Sequence, residues 1–211
     1  MVLLNETEAR AIGSLIEKEF TTPEYYPLTL NALVNACSQK SNREPVVQYD
    51  DTAISSAIES LREKKFVIRI TGADIRVPKY REIFTEHYNF SQEEIAVVTV
   101  LLLRGPQTPG EIRTRTGRLH EFANPSEVMA VLDKLISREG DAMAVKLPRQ
   151  PGKDARYMHL FCGEPVISET PVEVSPNTEA RIILLESEIS TLRNEIEGLK
   201  EQFRDFKKQF E

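Results

Sequence analysis

The chain is poor in the residues that most often carry chemistry. Its two cysteines, Cys37 and Cys162, stand 125 positions apart in 211 residues, too few for a disulfide framework and in keeping with a reducing compartment. Three histidines, His87, His120 and His159, are scattered without the spacing of a zinc site. No apolar run approaches the roughly 18–20 residues that span a bilayer. The N-terminus, Met1-Val2-Leu3-Leu4-Asn5-Glu6, has neither the basic nor the apolar stretch of an export signal. No glycine-rich phosphate loop follows a strand pattern, and no nucleophile elbow occurs. The expectation is a cytoplasmic protein with no membrane segment, no metal, no cofactor and no catalytic residues.

Net positive charge is also missing. The formal charge is −6, which argues at first against nucleic acid, but distribution matters more than the sum. Residues 1–88 carry 11 basic and 13 acidic groups, residues 89–165 carry 10 of each, and residues 166–211 carry 6 and 10. Most of the acidity therefore lies in the tail.

Helix starts are plentiful. Asn5-Glu6-Thr7-Glu8 and Ser91-Gln92-Glu93-Glu94 are capping boxes, in which a side-chain acceptor and a returning Glu satisfy amide N–H groups left over at a helix start. Phe90 and Ile95 stand where a hydrophobic staple would form. Thr108-Pro109-Gly110-Glu111 and Asn124-Pro125-Ser126-Glu127 repeat the box with proline at the first helical position. Helices are expected near 92–103, 109–118 and 125–138. Earlier in the chain, Ala9, Ile12, Ile16 and Phe20 fall on one helical face, a second helix is expected at about 28–39, and a third begins after Asp50-Asp51 with Ile54, Ile58 and Leu61 apolar.

Each third helix runs into a hairpin pattern. Phe66, Ile68 and Ile70 alternate with Val67, Arg69 and Thr71 ahead of a Gly72-Ala73-Asp74 turn, and residues 142–147 and 156–162 flank the tip Pro148-Arg149-Gln150-Pro151-Gly152-Lys153. Three helices and a two-stranded hairpin thus occur twice, at about 5–81 and 91–162. That is the order of a winged helix, a helix-turn-helix variant whose hairpin forms the wing. The expected fold is mainly α with small β-hairpins (α+β): winged-helix domains at 1–88 and 89–163, a Pro-rich linker at 164–177, and a coiled-coil helix at 178–211.

The tail carries Ile182, Leu185, Ile189, Leu192, Ile196, Leu199, Phe203, Phe206 and Phe210 at alternating spacings of three and four. Ile at a and Leu at d favour a parallel dimer. Across such a pair, Arg181 would face Glu186, Glu188 would face Arg193, and Glu195 would face Lys200, all of opposite sign. The alternative is a helix folded back over an apolar patch of its own chain, and the three Phe and Gly198 make that end an atypical zipper.

Cations gather on wings and turns. Residues 66–81 hold Arg69, Arg76, Lys79 and Arg81 against Asp74, and residues 142–162 hold Lys146, Arg149, Lys153 and Arg156 against Asp154. Residues 112–120 contain Arg113, Arg115 and Arg118 with no acid, and Lys40 and Arg43 sit at the corresponding turn of the first module. Such groups suit phosphate contacts, which position a protein on a duplex and make its affinity salt-dependent. The third helices argue the other way. Residues 51–65 are neutral, residues 126–139 carry −1, and neither presents the Arg, Asn and Gln set that reads base edges. The polar connection at 39–46 reads equally as a recognition loop or as Asn42 and Arg43 satisfying backbone carbonyls at a helix end. Cys37, on an apolar helix face, reads as core. His159 alternates with Tyr157 and Phe161 on one strand face and reads as packed rather than as a ligand.

Several stretches resemble the YceH-like family of bacterial proteins, a group of uncharacterised function. They are Thr21-Thr22-Pro23-Glu24 with Tyr26-Pro27-Leu28, Ala36-Cys37 with Gln39-Lys40-Ser41-Asn42-Arg43-Glu44-Pro45-Val46, Leu101-Leu102-Leu103-Arg104-Gly105 with Gln107-Thr108-Pro109-Gly110-Glu111, and Arg156-Tyr157-Met158-His159-Leu160-Phe161. The resemblance implies a tandem winged-helix fold and brings no catalytic or binding residues with it. Residues and resemblance together lead to one expectation, a dimeric protein that contacts duplex DNA through its wings and the Arg113–Arg118 turn, with the third helices in or near the groove and weak or non-specific readout. The alternative is an adaptor whose winged helices bind other proteins.

Overall fold

A computed structural model describes residues 2–72, 75–149 and 151–165, together with Gly198 and Lys200. The chain divides into two units, Met1–Pro165 and Val166–Glu211. Gly198 and Lys200 are helical. Residues 166–177 of the expected linker and the nine heptad positions from Ile182 to Phe210 lie outside the described residues.

The first unit is mixed α/β, with seven α-helices and two small antiparallel sheets among its described residues. Helix α1 (Glu6–Thr21) starts at the Asn5–Glu8 capping box. It buries Ala9, Ile12, Leu15 and Ile16. Phe20, grouped with that face by its spacing, is 37% exposed, because the last turn runs out past the core. A 3-10 turn (Pro23–Tyr25) leads to β1 (Leu28–Thr29) and then α2 (Leu30–Cys37). The expected helix at 28–39 is therefore shorter at both ends. Thr29 caps α2, its hydroxyl accepting the Ala32 N–H at 3.3 Å, while Leu28 and Thr29 pair with a later strand. Asp50 caps α3 (Asp51–Glu63), which buries Ile54, Ile58 and Leu61 against α1 and α2. Strands β2 (Val67–Gly72) and β3 (Ile75–Glu82) follow, and β1 joins β3 to complete the order β1-β3-β2.

A four-residue helix α4 (Phe84–His87) precedes α5 (Gln92–Arg104). Helix α5 is buried from Ala96 to Leu103, around its whole circumference, as expected of a helix wrapped by protein on all sides. It ends at Gly105, whose φ of +65° a β-carbon would strain. Helices α6 (Pro109–Thr116) and α7 (Pro125–Ile136) and the hairpin β4 (Ala144–Lys146) and β5 (Tyr157–His159) complete the unit. Thr108 and Glu111 form the expected box on α6. On α7, Asn124 accepts from the Ser126 and Glu127 amides, but the Glu127 carboxylate takes the Ala123 N–H instead of the cap's own, so the box is incomplete.

The two halves share a detail that composition does not reveal. Residues 28–29 pair with β3 immediately before α2, at Leu28↔Tyr80 and Thr29↔Lys79. Gln107 bridges Tyr157 immediately before α6, through reciprocal backbone bonds of 3.0 and 2.8 Å. In both halves, then, a short extended segment between the first and second helices pairs with the second hairpin strand, and a threonine then caps the next helix.

The halves are also joined. One core cluster runs through α1, α2, α3, α5, α6 and α7. Helices α1 and α5 approach so closely that a β-carbon on Gly13 would lie 3.0 Å from Leu103 side-chain carbons and 3.1 Å from Leu102 Cβ. The Glu44 N–H donates to the Leu103 carbonyl at 2.9 Å, and the Leu4 N–H to that of Phe161 at 2.7 Å. Phe84 meets Phe66 edge-on at 5.2 Å and Phe161 at 5.0 Å, which ties the first hairpin's base to the turn after the last strand.

Candidate nucleic-acid interface

Most of the hairpin cations reach solvent. On the first hairpin Arg69 and Arg76 are exposed and Lys79 is half-buried, beside the exposed apolar groups Ile68 and Val77. Arg81, at its base, is held by Glu86 at 2.7 Å. On the second hairpin Lys146, Arg149, Lys153 and Arg156 are exposed. The Arg149 Nε–H donates to the Lys153 carbonyl at 2.7 Å and closes the tip. Arg156 is more committed, donating to the Pro106 carbonyl at 2.8 Å and to Glu111 at 3.3 Å. Among the described residues Arg69, Arg76, Lys79, Lys146 and Lys153 have no carboxylate partner within ion-pair distance.

The α6 turn is divided. Arg113 donates from Nε to the Phe122 carbonyl at 3.1 Å and thereby fastens the loop leading to α7. Arg115 lies 3.8 Å from Glu111, the carboxylate that also receives Arg156. Burial would raise the Glu111 pKa, but the Thr108 amide and the Arg156 and Arg115 charges outweigh it and hold the carboxyl below its ordinary value. Arg118 is exposed and has no partner among the described residues. Glu111 thus gathers hairpin two and α6 into one group, while the hairpin-one cations share no contact with it.

At the first module's turn Lys40 is exposed, but Arg43 is not available to a phosphate. Its side chain is fully buried. It donates to the Ala36 carbonyl at 3.0 Å and to Glu17 at 3.1 and 2.6 Å. Arg10, unremarked in the sequence, works beside it, donating to the carbonyls of Cys37 at 3.2 Å and Pro45 at 2.7 Å. Two buried guanidiniums therefore satisfy the end of α2 and anchor the 39–46 connection, and for Arg43 the structural reading holds. Asn42, at φ +60°, accepts from Arg104 across the two halves. Arg104 is the other cation missed by sequence reasoning. The signal was a single charge closing the apolar run of α5, which reads as an ordinary favourable charge at a helix C-terminus.

The third helices offer little positive charge. The exposed residues of α3 include Asp51, Thr52, Ser56, Glu59 and Glu63, and those of α7 include Ser126, Glu127, Met129, Ala130, Asp133 and Lys134. Buried polar groups elsewhere are structural. Glu8 is fully buried and receives Lys64 Nζ at 2.7 and 2.6 Å; burial alone would raise its pKa, but Lys64, Ser60 and the Asn5 amide hold the carboxyl below its ordinary value. Cys37 is core, and burial pushes its thiol up to about 11. His159 is packed beside Phe161, with burial pushing it down to about 4. Among the described residues no group of three or more His, Cys, Asp or Glu could hold a metal ion, and no helix is long and apolar enough to cross a membrane.

Residues 4–153 match the family described as "Protein of unknown function, DUF480". The chain belongs to that family. It is 50% identical over 188 residues to a UPF0502 protein of Geotalea daltonii, covering 89% of this chain and 84% of the relative. It is 49% identical over 203 residues to a UPF0502 protein of Aliivibrio salmonicida, covering 90% and 92%. It is also 43% identical over 196 residues to the UPF0502 protein YceH of Salmonella paratyphi B, covering 89% and 91%.

Proposed function

We propose that residues 1–88 and 89–163 are two winged-helix modules that dock on duplex DNA, with the segment from 178 onward pairing two copies as a coiled coil. The repeated strand-before-helix pairing, at Leu28–Thr29 and at Gln107, supports the winged-helix reading. The single observation that carries the DNA reading is the set of exposed hairpin cations without carboxylate partners among the described residues: Arg69, Arg76, Lys146 and Lys153. Such groups supply phosphate contacts and sequence-independent affinity. The protein works by binding, not catalysis, in the cytoplasm. Readout is weak or non-specific, because α3 and α7 present hydroxyls and carboxylates where base-reading donors would be needed.

Replacing Lys146, Arg149 and Lys153 together by Gln tests this. The variant keeps the Arg156–Glu111 link, so it should fold normally, bind a random duplex more weakly, and show a salt slope lower by about three phosphates' worth. An unchanged slope would reject hairpin two as a contact.

One observation favours a second reading, a protein-binding adaptor. The outer face of α7 exposes Met129 and Ala130 beside Glu127 and Asp133, a surface that phosphates would repel and a basic, partly apolar partner would accept. Changing Glu127 and Asp133 to Lys separates the two, since it should strengthen DNA binding and abolish an α7-mediated protein contact.

A further inference from the structure

A cleft of about 250 Å³ opens where the two halves meet, bounded by the C-terminal turns of α1, the Asn42 loop, α5 and α6. Three arginines, Arg104, Arg115 and Arg118, line it. Its carboxylate, Glu17, is already occupied by both terminal nitrogens of Arg43. Arg104 has a neutral partner, the Asn42 side-chain oxygen. Arg115 reaches Glu111 only at 3.8 Å, and its buried Nη1 has no hydrogen-bond partner. Arg118 has no partner at all among the described residues. A guanidinium nitrogen removed from water and left without an acceptor is costly, and natural interiors rarely leave one so. Burial first, and then repulsion from Arg115 and Arg43, hold the Arg104 pKa below its ordinary value, as expected where positive charges converge without enough acid.

The remaining polar lining narrows the chemistry. Thr21, Thr99 and Thr114 also face the cleft. Each donates its hydroxyl proton to a backbone carbonyl four residues earlier, at 2.7, 2.6 and 3.0 Å. What these hydroxyls have left is accepting capacity. The site therefore offers cationic donors for an anion and neutral acceptors for hydroxyl groups. Its volume is below the usual size of a drug-sized pocket.

We propose that this cleft binds the phosphate monoester of a small hydroxylated molecule, the phosphate on Arg104, Arg115 and Arg118 and the hydroxyls on the threonines. A ligand seated there touches α1 and the Asn42 loop from one half and α5 and α6 from the other, so it would tie the two modules together. The proposal goes beyond DNA binding and does not require it.

Calorimetric titration of the full chain with glycerol 3-phosphate, inorganic phosphate and succinate tests it. The ester should saturate at about 1 mM or below, a modest affinity for a ligand of that size. Succinate and inorganic phosphate should bind more weakly. Arg118→Met removes a group with no protein partner, so the fold is kept while ester binding falls about tenfold or more. Arg104→Met should do the same, and Lys153→Gln should leave ester binding unchanged. No saturable ester binding overturns the proposal, as does full binding in both arginine variants or succinate binding as tightly as the ester. Duplex binding by Arg104→Met, which lies outside the proposed DNA contacts, should be normal, so failure of either reading can be recognised without the other.

Discussion

At the scale of single residues, the chain's buried charges decide more than its exposed ones. Glu8 is enclosed and depends on Lys64. Lys64→Met leaves that carboxylate with only the Asn5 amide and Ser60 to hold it, and should cost about 1.5–3 kcal/mol in urea unfolding. Glu8→Gln with Lys64→Met should recover part of the loss. His159 sets an acid limit. Its folded pKa, about 4, lies below the ordinary 6.5, so the unfolded chain binds the proton first and stability drains away as pH falls between those values. The total is about 3 kcal/mol. His159→Phe should flatten the fall between pH 6.5 and 4, read from thermal midpoints across that range. A slope unchanged by the substitution would show that another group carries it. These two residues also mark what composition can reveal. Alternation with Tyr157 and Phe161 was enough to read His159 as packed. Nothing local distinguished Arg43, which turned inward, from Lys40, which did not, because the deciding partner, Glu17, is 26 positions away.

Elements were legible where they satisfy their own ends. The boxes at Asn5, Ser91 and Thr108 fixed the starts of α1, α5 and α6 because side chain and backbone there are neighbours in sequence. Thr108→Ala should cost about 1 kcal/mol. Asn124 capped its helix as well, although Glu127 turned to Ala123. Elements too short for any period were missed, namely β1, α4 and the Gln107 bridge. Two residues have no alternation to detect, and the partners of Leu28 and Thr29, Tyr80 and Lys79, lie about fifty positions on. The close approach of α1 on α5 was equally hidden, since Gly13 reads in isolation only as a weak helix residue. Its function is to let Leu102 and Leu103 in. Gly13→Leu should overpack that contact and cost about 1–3 kcal/mol in chemical denaturation, whereas a loss near zero would mean that the helices can separate freely.

At the scale of the molecule, the order of elements was readable twice over, and the family membership agrees with the resemblance carried by the long motifs of both halves. What the order did not reveal is that Met1–Pro165 is one unit with a continuous core, so the spacing between the hairpins is set by packing rather than by a linker. The candidate interface was readable as hairpin charge, but its grouping through Glu111 depends on Arg156, 45 positions further along the chain, which no local pattern places there. On the proposed reading, one unit whose hairpin cations lack carboxylate partners among the described residues should engage several phosphates at once. The most direct test is fluorescence anisotropy of a labelled random duplex titrated with the full chain at about 50 and 200 mM salt. The account predicts saturable binding that weakens about 10³-fold across that range; absence of saturable binding at the lower salt would contradict it.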